Sequence, residues 1–168
     1  FKILREEGSD TYSIASSLAK KAKETFSKPS IIVISSGLTI DAEQIIKGVK
    51  DVDDTIPLYG GLAGDDLTMK ASYVFSNTFE SSNGLIALVV NRDKVEIHGL
   101  ATSGWDDIGI EKTITKSEGN IVYTIDDEPA ADVFVKFFKF AGTVDTAAEI
   151  VVMNFAQYPL QLKKDNGN

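Results

Sequence analysis

The sequence predicts an α/β domain with α+β character. It would hold a mixed sheet whose first strands are parallel with flanking helices and whose later strands form an antiparallel meander. Three observations predict this. Over residues 10–62, amphipathic stretches with a helical period alternate with short apolar runs. From about 71 to 125 that period disappears, and β-rich runs are separated by short polar turns. At 127–140 the helical pattern returns. Alternating helix and strand is the pattern of a parallel sheet, and clustered strands joined by short turns are that of an antiparallel one.

Residues 10–26 read as the first helix. Ile14, Leu18, Ala22 and Phe26 recur every four positions, with Lys20, Lys21 and Lys23 mostly off that stripe. Ser9 or Asp10 suits its N-cap, and Pro29 ends it. "SIIVIS" (30–35) is apolar throughout its centre and β-branched, which predicts a strand buried on both faces with helices above and below. Asp41, followed by Gln44 three residues on, marks a second helix start, and Ala42, Ile45, Ile46 and Val49 form its inward stripe. "IPLYGG" opens a second strand, so 10–62 is a helix–strand–helix–strand unit expected to hold parallel strands. "ASYVFS", "GLIALVV", "KVEIHGLAT", "IEKTITKS" and "IVYTID" then read as strands, with hairpin connections at "NRDK" (91–94) and "SEGN" (117–120). Residues 127–140 read as a helix with Pro129 in its first turn, and "AEIVVMNFA" (148–156) as a further strand.

Composition excludes several functions. The 168 residues are 43% hydrophobic, enough to bury a core in one domain or one domain plus a fragment. The 17 basic residues against 25 acidic ones leave a net charge of −8, the wrong sign for a nucleic-acid partner. There is no cysteine, so disulfides, thiolate metal sites and cysteine nucleophiles are excluded. The one histidine, His98, excludes multi-histidine metal centres within a chain. No apolar run is long enough to span a bilayer and no signal peptide is visible, which points to a cytoplasmic protein. Phe1 is not a natural start, so the sequence reads as a piece of a longer chain.

The motif that raises the functional question is "YGGLAGDD", 59–66. It lacks the Gly-Lys-Ser/Thr of a P-loop and does not fit G-x-G-x-x-G, and its two acids would repel a phosphate. One reading is a plain glycine turn between strands. The other is a small-ligand site, because glycines at the carboxyl edge of a strand let a molecule approach the backbone. Backbone amides would take a carboxylate, and Asp65 or Asp66 an ammonium. If the strands beginning near 30 and 57 are parallel neighbours, Ser35 and Ser36 end at the same edge. Trp105, the single tryptophan, is either a core residue or an aromatic wall of that pocket. His98 shares strand parity with Glu96 and reads as a half-exposed strand residue. No nucleophile–base set and no EF-hand pattern is present, and loops and helix starts explain the paired aspartates, so neither a metal nor another cofactor is expected.

Taken together, "IPLYGGLAGDD", "NGLIALVVNRDKVEIHGLATSGWDDIG" and "TITKSEGNIVYTIDDEPAADVFVKFF" resemble the N-terminal domain of the FIST family. The matching positions include Gly60, Gly61, Ala63, Gly64, Gly104, Trp105, Gly109, Asn120 and Pro129. "MNFAQYPLQLKKDNGN" resembles the opening of the C-terminal FIST half, with Gln161 where a glycine is expected. The resemblance implies a domain over 1–142 and the truncated start of the second half over 143–168. It also implies an intracellular sensory input module, linked to that second half and to a fused or separate signalling output. Its ligand would be an amino acid or similar small polar metabolite, and the family offers no catalytic residues to carry over. The expected ligand-binding residues are therefore Ser35, Ser36, Gly60, Gly61, Gly64, Asp65 and Trp105. Two rivals stay open: a hydrolase or transferase using Ser36 and His98, and a protein-docking module without a ligand.

Overall fold

The computed structural model of the protein describes residues 1–65, 68, 70–102, 104, 106, 109–119, 121–140, 142, 145, 146, 158, 159 and 163. The chain forms two compact units, Phe1–Ala101 and Thr102–Asn168.

The first unit runs β1 (Lys2–Glu7), α1 (Thr11–Thr25), β2 (Pro29–Ser36), α2 (Ala42–Lys50), β3 (Leu58–Ala63), β4 (Val74–Ser76), β5 (Phe79–Ser81) and β6 (Gly84–Asn91). Its main sheet has the order β1-β6-β2-β3. β2 and β3 are parallel, while β6 is antiparallel to both β1 and β2. The mixed sheet is thus the predicted one. β4 and β5 form a separate two-stranded ribbon.

Both helices start as their sequences dictate. Asp10 caps α1 by accepting the Ser13 amide at 3.2 Å, and Asp41 caps α2 by accepting the amides of Glu43 and Gln44 at 2.8 and 3.4 Å. Replacing Asp41 with alanine leaves those amides without their cap. The Asp41→Ala protein is expected to lose about 1 kcal/mol in urea unfolding, and Asp41→Ser to recover most of it. Along α1, Ile14, Ala15, Leu18, Ala19 and Ala22 are buried. They close on Ile45 and Val49 of α2 and on Ile31, Val33, Leu85, Ala87 and Val89 of the sheet. Outside this core, Asp53 holds α1 to the turn before β3. The Lys23 ammonium at 2.5 Å and the Thr55 hydroxyl keep its carboxyl well below the usual carboxylate range.

Four expectations for this unit need correction. Helices do not lie above and below β2. Side chains alternate along a strand, and the helix core takes only the Ile31 and Val33 side. On the other side Ile34 is 55% exposed. β1 was not foreseen, although it pairs with β6 over six residues. The strand expected over "KVEIHGLAT" is absent. "NRDK" does form a turn, but residues 95–101 beyond it are irregular. Tyr59 is the reason. Its hydroxyl donates to the Ile97 carbonyl at 3.0 Å and its ring lies against Gly99, so these residues wrap a side chain instead of pairing with a strand. Finally, within "ASYVFS" only Val74–Ser76 is strand, and its partner is the unforeseen β5.

The second unit contains β7 (Ile114–Glu118), β8 (Ile121–Ile125), β9 (Glu128–Pro129) and α3 (Ala130–Phe140). The strands follow one another antiparallel, in the predicted meander. The helix starts three residues later than expected. Asp126 and Asp127 both have positive φ (50° and 64°) and make the tight turn from β8 into β9. Asp126 also accepts the Lys112 ammonium and the Thr113 amide, which lower its carboxyl below the usual range. On α3, Phe138 is fully buried and packs edge-on against Phe137 and Tyr158. The strand expected over 148–156 lies outside the described residues.

Candidate functional site

The parallel pairing of β2 with β3 brings the two candidate loops to one place. Ser35 lies opposite Leu62 and Ser36 opposite Ala63. Both strands therefore end together, and Gly64 and Asp65 follow directly beyond Ala63. Gly60 and Gly61 sit further back, opposite Val33 and Ile34.

Within that corner the candidates do different things. Ser35 and Ser36 are both fully buried, but as neighbours in a strand they point to opposite faces. The Ser36 hydroxyl lies 3.2 Å from that of Thr39 and 3.5 Å from the Gly84 carbonyl, and Thr39 in turn donates to the Ser82 carbonyl at 2.7 Å. The Ser35 hydroxyl is buried with no hydrogen-bond partner among the described residues. A buried hydroxyl left this way is costly; Ser30, at the other end of β2, shares the condition, and Ser35 is the one at the corner. Gly60 is fixed by its pairing with β2, because a side chain there would strike the Val33 carbonyl. Among the described residues, Gly61 and Gly64 face open space, with no atom beyond their chain neighbours within 4 Å of where a Cβ would stand. Asp65 accepts the Thr68 hydroxyl at 2.9 Å and the Lys70 amide at 3.3 Å, so it closes its own loop. Trp105 lies outside the described residues.

One residue of the corner was missed from sequence. The Ser72 hydroxyl, in a residue only 2% exposed, accepts the Gly37 amide at 2.6 Å. The first backbone donor beyond β2 is therefore already taken. Nothing in "KASYVFS" signals this, since the contact spans 35 residues.

The structure does not assemble the enzyme alternative. The partners of the Ser36 hydroxyl are Thr39 and Gly84, whereas His98 Nε2 meets Glu96 at 3.3 Å with both side chains exposed. Gly99 packs on Tyr59, which faces Ile32, four residues along β2 from Ser36. Ile32 and Ser36 are about 13 Å apart along the strand, so the described contacts put His98's neighbour beside the middle of β2 and Ser36 at its end. Among the described residues, no group of three or more acidic or histidine side chains is placed to hold a metal ion. Among them, too, no helix is long and apolar enough to cross a membrane. An open groove runs along α1, lined by Tyr12, Ser16, Lys20, Asp51 and Val52, and shares no residue with the β2–β3 corner.

The family model described as the FIST N domain matches residues 2–128, from β1 through the β8–β9 turn. The chain belongs to the FIST family. No curated protein and no solved structure matches it. Membership places this FIST chain among sensory signal-transduction domains. The matched span includes the whole mixed sheet and the glycine-rich end of β3.

Proposed function

We propose that this FIST domain is the input module of a signalling protein, and that it binds a small polar ligand at the carboxyl ends of β2 and β3. The observation that carries the reading is the register that sets Ser35 beside Leu62 and Ser36 beside Ala63. Among the described residues, the open approach at Gly61 and Gly64 and the Ser35 hydroxyl without a hydrogen-bond partner support it. Carboxyl ends of parallel strands are where open α/β sheets place their ligands.

An amino acid suits this corner. Its carboxylate would accept from backbone amides past Ala63, and its ammonium would meet the Asp65 carboxylate. Binding would favour one arrangement of the glycine loop. That bias would pass to the downstream FIST C-terminal half and a fused or separate output domain, in a cytoplasmic protein. The ligand shifts that balance only as far as its affinities for the two arrangements differ.

Calorimetric titration of the chain against the amino acids tests this. At least one is expected to bind below about 1 mM, a free energy near −4 kcal/mol. Gly64→Val puts a side chain into the open approach, where a Cβ meets no described atom within 4 Å. It is expected to weaken that binding at least about tenfold while leaving the unfolding midpoint within about 0.5 kcal/mol of the parent. Failure of every amino acid to bind would remove the reading.

A further inference from the structure

We infer that the outer edge of β3 is a docking strand for an extended, basic-flanked segment of a partner protein. The main sheet has two edges, β1 and β3. Natural edge strands are normally blunted by charge, proline or a bulge, because a bare edge pairs with other chains. β1 is blunted, with Lys2, Arg5, Glu6 and Glu7 in the six residues "KILREE". β3 is not. "LYGGLA" holds no charge and no proline, its residues 60–62 are exposed, and Leu62 is 48% exposed.

The ladder shows which backbone groups are on offer. The Ile31 amide donates to the Pro57 carbonyl at 2.9 Å, and Ile31 lies opposite Leu58. In a parallel pair the strand alternates, so Tyr59, Gly61 and Ala63 turn their amides to β2. Leu58 and Leu62 turn theirs outward, and no strand among the described residues pairs with them.

Charge selects the occupant. Asp54, exposed in the turn before β3, and Asp65 just after it place negative charge at both ends of the edge, on a chain of net charge −8. A second copy added antiparallel would set its Asp65 end beside the first copy's Asp54 end, a like-charge encounter. A strand with Lys or Arg at both ends and small β-branched residues between them meets opposite charge at each end instead.

Residue-resolved amide exchange on the full chain tests this, using the capped octapeptide Lys-Thr-Val-Thr-Val-Thr-Val-Lys at millimolar concentration. Alone, the amides of Leu58 and Leu62 are expected to exchange fast and those of Tyr59 and Ala63 slowly. With the peptide, Leu58 and Leu62 become protected. The same peptide with Glu at both ends protects them less, and one N-methylated along its pairing edge does not protect them at all. Asp54→Lys, a surface change, is expected to weaken the octapeptide about threefold or more. Three results overturn the proposal: Leu58 and Leu62 protected in the chain alone, protection that grows with protein concentration without peptide, or no protection by the basic peptide. None of them bears on amino-acid binding at the β2–β3 corner.

Discussion

Gly60→Ala is expected to destabilise the chain by about 3 kcal/mol or more, while Gly61→Ala, one residue on, leaves stability within about 0.5 kcal/mol. The two glycines look alike in "YGGLAG", but their surroundings differ. A Cβ on Gly60 would stand 1.8 Å from the Val33 carbonyl oxygen and 2.8 Å from its carbon. Those are backbone atoms of the neighbouring strand and cannot rotate away. Gly60 also has φ of +151°, a conformation that L side chains rarely adopt. Relief requires β3 to move off β2, and with it Leu58, which packs against the core. At Gly61 neither obstacle exists: φ is ordinary and, among the described residues, no atom beyond its chain neighbours lies within 4 Å of a Cβ. There alanine can even gain a few tenths of a kcal/mol by restricting the unfolded chain. Urea unfolding of the two variants reads the difference directly. Equal midpoints would mean that β2 and β3 do not pair in the register given, and the candidate site would lose the geometry that assembles it.

What the sequence makes legible depends on how local the physics is. The stripes Ile14–Leu18–Ala22 and Ile45–Val49, the capping aspartates and the β-branched run at 31–34 act within a turn or two of themselves. Each is found where expected, save that Ile46, expected on the inward stripe of α2, is 46% exposed. β1 is harder, because "KILREE" becomes a strand only through β6, some eighty residues away. Residues 94–102 carry a strand composition that a single aromatic overrides, since Tyr59 occupies Ile97 and Gly99. Asp126 and Asp127 suit a helix start as well as a turn, and positive φ distinguishes the two only in the folded chain. The candidate site divides the same way. That Ser35 and Ser36 face opposite sides follows from strand parity alone. That they end beside Leu62 and Ala63 rests on a parallel register, which spacing suggests but does not fix. Ser72 on the Gly37 amide has no trace in local sequence at all.

Gly48 opposes a local rule to a tertiary one, and magnitudes decide between them. Glycine inside a helix costs about 1 kcal/mol relative to alanine, so propensity alone says that Gly48→Ala stabilises α2. The packing says otherwise. A Cβ at Gly48 would lie 2.6 Å from the Tyr12 carbonyl oxygen, 2.9 Å from the Ala15 Cβ and 3.2 Å from the Ser16 amide nitrogen. All three belong to α1, whose small residues Ala15, Ala19 and Ala22 are fully buried. The Ser16 hydroxyl also donates to the Gly48 carbonyl at 3.1 Å, tying the two backbones together. Alanine must push α1 and α2 apart by several tenths of an ångström. Leucine must separate them further and open the core between Leu18, Ile45 and Val49. Overpacking of this kind costs about 1–3 kcal/mol, occasionally more, which outweighs the propensity gain. Gly48→Ala is therefore expected to lower stability by about 1 kcal/mol after its helix gain is counted, and Gly48→Leu by about 3 kcal/mol or more. For a chain of this length the leucine variant should melt about 6–12 °C below the parent. Far-ultraviolet dichroism during heating measures both. A rise in melting temperature for Gly48→Ala would show propensity winning, and would mean that the two helices sit farther apart than their contact at Tyr12 and Ala15 implies.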